Sequence, residues 1–139
     1  MIFVDTGAWI ALTDRADQYH REATAIYARL KQQRARLATT DYVLDEAMTR
    51  LRYDSGHPQA LRFIELVTQA ERAGVLLAVP IAPAVFQAAL AFFRQYDTVM
   101  LSFTDCTNFV VCEQHQIREA FAFDQHFLLR GIALCTPDS

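Results

Sequence analysis

The sequence of 139 residues carries no glycine-rich phosphate loop, no serine-hydrolase elbow and no cluster of histidine or cysteine. Without G-x-G-x-x-G, G-x-x-x-x-G-K-[ST] or G-x-S-x-G, nucleotide-fuelled and serine-hydrolase chemistries lose their usual signatures. Val4-Asp5-Thr6-Gly7 also lacks the second Asp that an aspartyl-phosphate phosphatase would place two positions on. The cysteines Cys106, Cys112 and Cys135 are odd in number, scattered and never spaced C-x-x-C. They therefore suggest neither a disulfide framework nor a zinc site and read as small buried hydrophobes. Nowhere do about 18 apolar residues run uninterrupted, the length that crosses a bilayer. Met1 leads straight into Ile2-Phe3-Val4 with no basic region or small-residue cleavage site, so the expectation is a cytoplasmic protein. No repeat, low-complexity segment or linker is present, and one domain over residues 1–139 is expected.

Basic charge is also in short supply. The net charge is −3, against the usual habit of nucleic-acid-binding domains. Its distribution moderates the objection: residues 1–62 hold nine of the thirteen basic residues against eight acids, whereas residues 63–139 hold four against eight. Twelve of the thirteen are arginine, whose planar fork suits bidentate phosphate contact, although base composition of a genome produces the same bias.

What is abundant is apolar surface, 53% of the residues, enough for a core. Ile2-Phe3-Val4 reads as a buried strand ending at Asp5. Ala23, Ile26, Tyr27 and Leu30 recur at helical spacing, and Arg36 to Ala38 suggests a second strand. Thr39, Thr40 and Asp41 offer caps for a helix bearing Val43, Leu44, Ala47, Met48 and Leu51. Ser55-Gly56-His57-Pro58 makes a turn, and Pro58 opens a helix with the stripe Leu61, Ile64, Leu66 and Val67, which stops near Gly74. Val75 to Val79 is the next strand. Pro83 starts a helix whose Phe86, Leu90 and Phe93 share one face, and Ser102 caps another that runs to about His115. Ala120 to Phe123 is a strand ending at Asp124, with a last one over Ile132 to Cys135. Strands separated by helices predict a three-layer α/β/α domain with a mostly parallel central sheet.

Four acids stand out. Asp5 and Asp124 each follow an apolar run, at the carboxyl end of a predicted strand, which in parallel sheets is the ligand-binding edge. Either is equally well a turn former or cap. Asp105 falls between Phe109 and Cys112 on a helical wheel of about 100° per residue, inside the apolar arc, where a carboxylate needs a cation or hydrogen bonds to offset desolvation. It also fits a capping box, Ser102-Phe103-Thr104-Asp105, in a first turn that favours acids. Asp45 and Glu46 both lie at the margin of their helix's apolar stripe, and periodicity does not choose between them. Oxygen ligands alone, without His or Cys, suit Mg²⁺ or Mn²⁺, and such clusters hydrolyse phosphodiesters without a side-chain nucleophile. His20 has two readings, a surface helix residue or a partner of Asp17 or RNA. His126 reads as a turn residue or a phosphate neighbour, and Trp9 as core or as a base-stacking platform.

The surroundings of these acids resemble the PIN-domain family, and within it the VapC-type toxins of bacterial toxin–antitoxin pairs. Phe3-Val4-Asp5-Thr6-Gly7-Ala8-Trp9-Ile10-Ala11-Leu12 resembles the family's opening, and Asp17-Gln18-Tyr19-His20 the segment that follows it in many such toxins. Thr40-Asp41-Tyr42-Val43-Leu44-Asp45-Glu46 resembles the second block and selects Glu46 over Asp45. Leu101-Ser102-Phe103-Thr104-Asp105-Cys106 resembles the third, and Ala122-Phe123-Asp124-Gln125-His126-Phe127 the fourth. Any one block is unspecific; four in order and at the right spacing, across essentially the whole chain, are a strong match. The resemblance implies a PIN fold and an Mg²⁺ site, with Mn²⁺ as substitute, held by Asp5, Glu46, Asp105 and Asp124. It further implies endonucleolytic cleavage of RNA, a homodimer, and neutralisation by a cognate antitoxin. Thr6 and Asn108 are expected to orient water or a carboxylate beside Asp5 and Asp105. Arg15, Arg50 and Arg52 are expected to contact RNA phosphate. The alternative is a PIN scaffold that binds RNA or protein without turnover, which the acidic net charge permits.

Overall fold

A computed structural model describes residues 1–138. Five strands, β1 (Ile2–Val4), β2 (Leu37–Thr40), β3 (Leu76–Val79), β4 (Glu119–Phe121) and β5 (Ala133–Leu134), form one sheet in the order β3-β2-β1-β4-β5. Every pairing is parallel, with Ile2 opposite both Leu37 and Glu119. The expected sheet is therefore present and wholly parallel. β1 and β2 are buried at every position, as a sheet covered on both faces requires.

Six α-helices cover the sheet: α1 (Thr6–Thr13), α2 (His20–Gln32), α3 (Asp41–Ser55), α4 (His57–Arg72), α5 (Pro83–Gln95) and α6 (Phe103–Gln114). A 3₁₀ helix follows at Gln125–Arg130. The chain steps outward from β1 to β2 to β3 and then returns to the other side of β1 with β4. Because parallel crossovers are right-handed, that reversal sends α5 and α6 to the face opposite α1–α4. Consistent with this, α1 packs on α2, α3 and α4, while α5 packs on α6.

Local chemistry explains most boundaries. Thr40 Oγ1 accepts the Val43 amide at 3.1 Å and caps α3. Gly56, at φ +98°, makes the sharp turn between α3 and α4. α1 had no amphipathic signature, because six of its eight residues are buried and it is apolar all round. Trp9, fully buried, lies edge-on to Phe63 and donates its indole N–H to Thr39 Oγ1 at 3.3 Å, so it is core and not a stacking platform. The three cysteines are buried thiols, and burial pushes Cys112 up to about 12.

Two apolar stripes differ from expectation. α4 buries Ala60, Phe63, Val67 and Ala70, leaving Leu61 and Ile64 exposed. Two apolar series about 100° apart run along this helix, and the one with alanines allows closer approach of neighbouring backbones. On α5 the buried residues are Val85 and Ala89, whereas Phe86 and Phe93 stand at the rim against Phe103 of α6. Met48 of α3 is likewise exposed.

Candidate active site

The order of strands places a crevice between the carboxyl ends of β1 and β4, where the winding direction reverses and open α/β sheets bind ligands. Asp5 leaves β1 at this point, its amide bonded to the Phe121 carbonyl of β4 at 3.0 Å. It precedes α1 in the N-cap position, yet its side chain makes no capping bond. Instead Oδ1 accepts from Asn108 Nδ2 of α6 at 3.2 Å, with both residues buried.

Asp5 is 7% exposed, and its carboxyl is pushed up from 3.8 to about 7. Desolvation is the main cause, a backbone hydrogen bond from Thr6 opposes it, and the negative charges of Asp105, Glu46 and Asp124 add to the rise. Three acids that lie 41, 100 and 119 positions further along the chain, by subtraction of their numbers, thus act on one carboxyl.

Asp105 makes the capping box that the sequence suggested. Its amide donates to Ser102 Oγ and its Oδ2 accepts the Ser102 amide, each at 3.0 Å, which is a complete capping box. The same side chain, 17% exposed, belongs to a group with Asp124 and His126 whose ligand-capable atoms all lie within 4.8 Å of one another. Asp124 also has a double role: Oδ1 accepts the His126 amide at 2.9 Å and caps the 3₁₀ helix. Glu46 is half-buried whereas Asp45 is exposed and accepts from Thr49, so burial separates the pair that periodicity left tied.

Glu46 lines an open groove of about 410 Å³ with Tyr42, Asp45, Thr49, Arg50 and Thr104. Arg50 is therefore one turn from Glu46 on the same face of α3. Arg52 lies in an adjoining groove that shares Thr49, with Met48, His57, Leu61 and Ile64. Arg15 is exposed beyond the far end of α1, about 12 Å along the helix from Asp5. Of the three arginines, only Arg50 is brought beside an acid of the crevice. Tyr42 and Thr104 had drawn no notice in the sequence, since both are ordinary helix-surface residues until α3 meets the start of α6. His20 Nδ1 lies 2.7 Å from the Ala11 carbonyl oxygen, tying α2 to α1 and leaving Asp17 to accept from the Tyr19 amide.

Thr6 Oγ1 and Asn108 Oδ1 are buried beside Asp5 without a hydrogen-bond partner. Buried polar atoms are seldom left so, and here they point to a ligand or water. The family model described as "PIN domain" matches residues 2–131. The chain belongs to the PIN-domain family. Within it, this PIN chain is 30% identical to the "23S rRNA-specific endonuclease VapC20" of Mycobacterium tuberculosis, over 99% of its own length and 100% of the relative's. The crystal structure of that VapC20, described as a sarcin–ricin loop cleaving toxin, superposes with a TM-score of 0.81 at 29% identity, covering 96% of this PIN chain and 97% of that one. No helix among the described residues is long and apolar enough to cross a membrane.

Proposed function

We propose that this chain is a divalent-cation-dependent endoribonuclease, the toxin half of a type II toxin–antitoxin pair, acting in the cytoplasm as a homodimer and silenced by a cognate antitoxin protein. The observations that support it most are the group of Asp105, Asp124 and His126, whose ligand-capable atoms lie within 4.8 Å of one another, and the like charges of Asp105, Glu46 and Asp124 that act on the buried carboxyl of Asp5. Packing four acids together is unfavourable without a counter-charge, so the arrangement fits a cation better than a purely structural role. The donor set fits too: four carboxylates with unpartnered hydroxyl and amide oxygens beside them match the hard-oxygen preference of Mg²⁺ or Mn²⁺. Asp5, Glu46, Asp105 and Asp124 would hold the ion. When bound, a divalent cation supplies Lewis acidity that makes water a better nucleophile and offsets charge developing on the scissile phosphate.

The chain's own residues do the positioning. Asn108 fixes the Asp5 carboxylate through Oδ1, the capping box fixes Asp105 through Oδ2, and the His126 amide fixes Asp124 through Oδ1. Asp5, Asp105 and Asp124 are thereby each held in place through a carboxylate oxygen. Thr6 Oγ1, buried without a hydrogen-bond partner, supports a role for this hydroxyl in orienting water near Asp5. Arg50 sets one guanidinium beside Asp45 and Glu46 in the adjoining groove, a contact for an RNA phosphate. Because the likeness to VapC20 runs the full length of both chains, 23S rRNA and its sarcin–ricin loop are the first substrates to assay.

The test is incubation of the purified protein with ribosomal RNA in Mg²⁺ and in EDTA, alongside Asp5→Asn and Asp105→Asn. Discrete fragments that need Mg²⁺ and disappear in both folded variants are expected. RNA retained without fragments would instead make the chain a binding module, and full activity in both variants would overturn the site.

A further inference from the structure

His126 is not among the acids assigned above, yet its ring faces them. The side chain is 31% exposed overall, but Nδ1 itself is shut off from solvent. That atom lies 3.0 Å from Asp124 Oδ1 and 3.5 Å from Asp105 Oδ2, and neither contact has the geometry of a hydrogen bond. Asp124 Oδ1 and Asp105 Oδ2 already accept the backbone amides of His126 and Ser102. Protonated, this ring nitrogen is an ion-pair partner of both carboxylates; neutral at Nδ1, it turns a lone pair toward negative oxygens. A cation between the nitrogen and the carboxylates removes that conflict.

We propose that His126 Nδ1 is a nitrogen donor to the cation held by the four acids, which makes the centre a mixed nitrogen–oxygen site with a preference for a first-row transition ion such as Mn²⁺ over Mg²⁺. The inference rests on the cation-dependent reading given above. Imidazole suits transition ions, whereas Mg²⁺ binds few ligands other than oxygen. Amide anchoring of Asp105 and Asp124 survives replacement of the ring, because those bonds use backbone N–H groups.

The experiment uses the full chain loaded with Mn²⁺ and reads electron spin echo envelope modulation. A ¹⁴N coupling is expected in the wild type, replaced by a ¹⁵N signature when the protein is labelled with ¹⁵N-histidine, and lost in His126→Gln. Titration of free Mn²⁺ should show that variant weakened about tenfold or more, with Mg²⁺ affinity changed far less. Mn²⁺ bound without any nitrogen coupling overturns the role of His126 and leaves the four-acid centre standing: the ring is then an ion-pair partner of Asp124. Absence of Mn²⁺ binding overturns both readings together. The isotope label needs no substitution, so the test holds even if the variant fails to fold.

Discussion

Asp5 concentrates the physics of the site in one side chain. Its folded-state pKa of about 7 lies above the ordinary 3.8, so the folded chain favours the neutral acid. A carboxyl shifted this way stabilises the fold relative to its ionised state below about pH 4, and that advantage fades as pH rises through 7. In EDTA, wild-type stability relative to Asp5→Asn should therefore fall between about pH 4 and pH 8. A rise from 3.8 to about 7 corresponds to on the order of 4 kcal/mol. Urea melts of both proteins across that range check it, and a difference that stays flat with pH would contradict the burial of the Asp5 carboxyl and its placement near like charges. Added Mg²⁺ should reverse the trend, because a cation binds the ionised form.

Elements show how one residue serves two purposes. In α6 the capping box starts the helix and also aims Asp105 at the crevice. Ser102→Ala removes the hydroxyl that accepts the Asp105 amide, at a cost of about 1 kcal/mol in stability. Activity should fall by more than that loss accounts for, since a loosened cap also releases the carboxylate. Thermal melts paired with initial cleavage rates separate the two effects, and an unchanged rate would confine Ser102 to capping. In α4, Phe63→Ala should cost about 3–5 kcal/mol because it empties the space beside Trp9, whereas the exposed Leu61→Ala should stay within about 0.5 kcal/mol. Equal costs would mean that the stripe expected from the sequence is the buried one after all.

For the whole molecule, the site is a liability until something positive fills it. On the reading proposed above, the mutual repulsion of Asp5, Glu46, Asp105 and Asp124 opposes folding, and a cation that binds only the folded chain adds stability in proportion to the logarithm of its concentration. At a hundredfold excess over Kd the gain is about 2.7 kcal/mol, on the order of 8 °C in Tm for a chain of this length. Calorimetry with and without Mg²⁺ or Mn²⁺ should show this rise, and it should be abolished in Asp5→Asn with Asp105→Asn combined. A melting temperature indifferent to divalent ions would argue that the acids are held apart by hydrogen bonds alone.

Class, layer order and the positions of Asp5, Asp105 and Asp124 were legible in the linear chain, because strand periodicity, cap signals and the acids that end apolar runs are local properties. Choosing Glu46 over Asp45 needed the family resemblance. Position in the chain carries no record of which side of α3 meets the start of α6, so the partial burial of the one and exposure of the other, the groove beside Arg50 and the absence of Arg15 and Arg52 from its lining emerged on folding. So did the face that α4 buries, a choice between two apolar series settled by how closely alanines let neighbouring helices approach. Most of all, the raised pKa of Asp5 and the inward nitrogen of His126 exist only where separate segments are brought within a few ångströms, since desolvation and Coulomb repulsion depend on distance in space and not on distance along the chain.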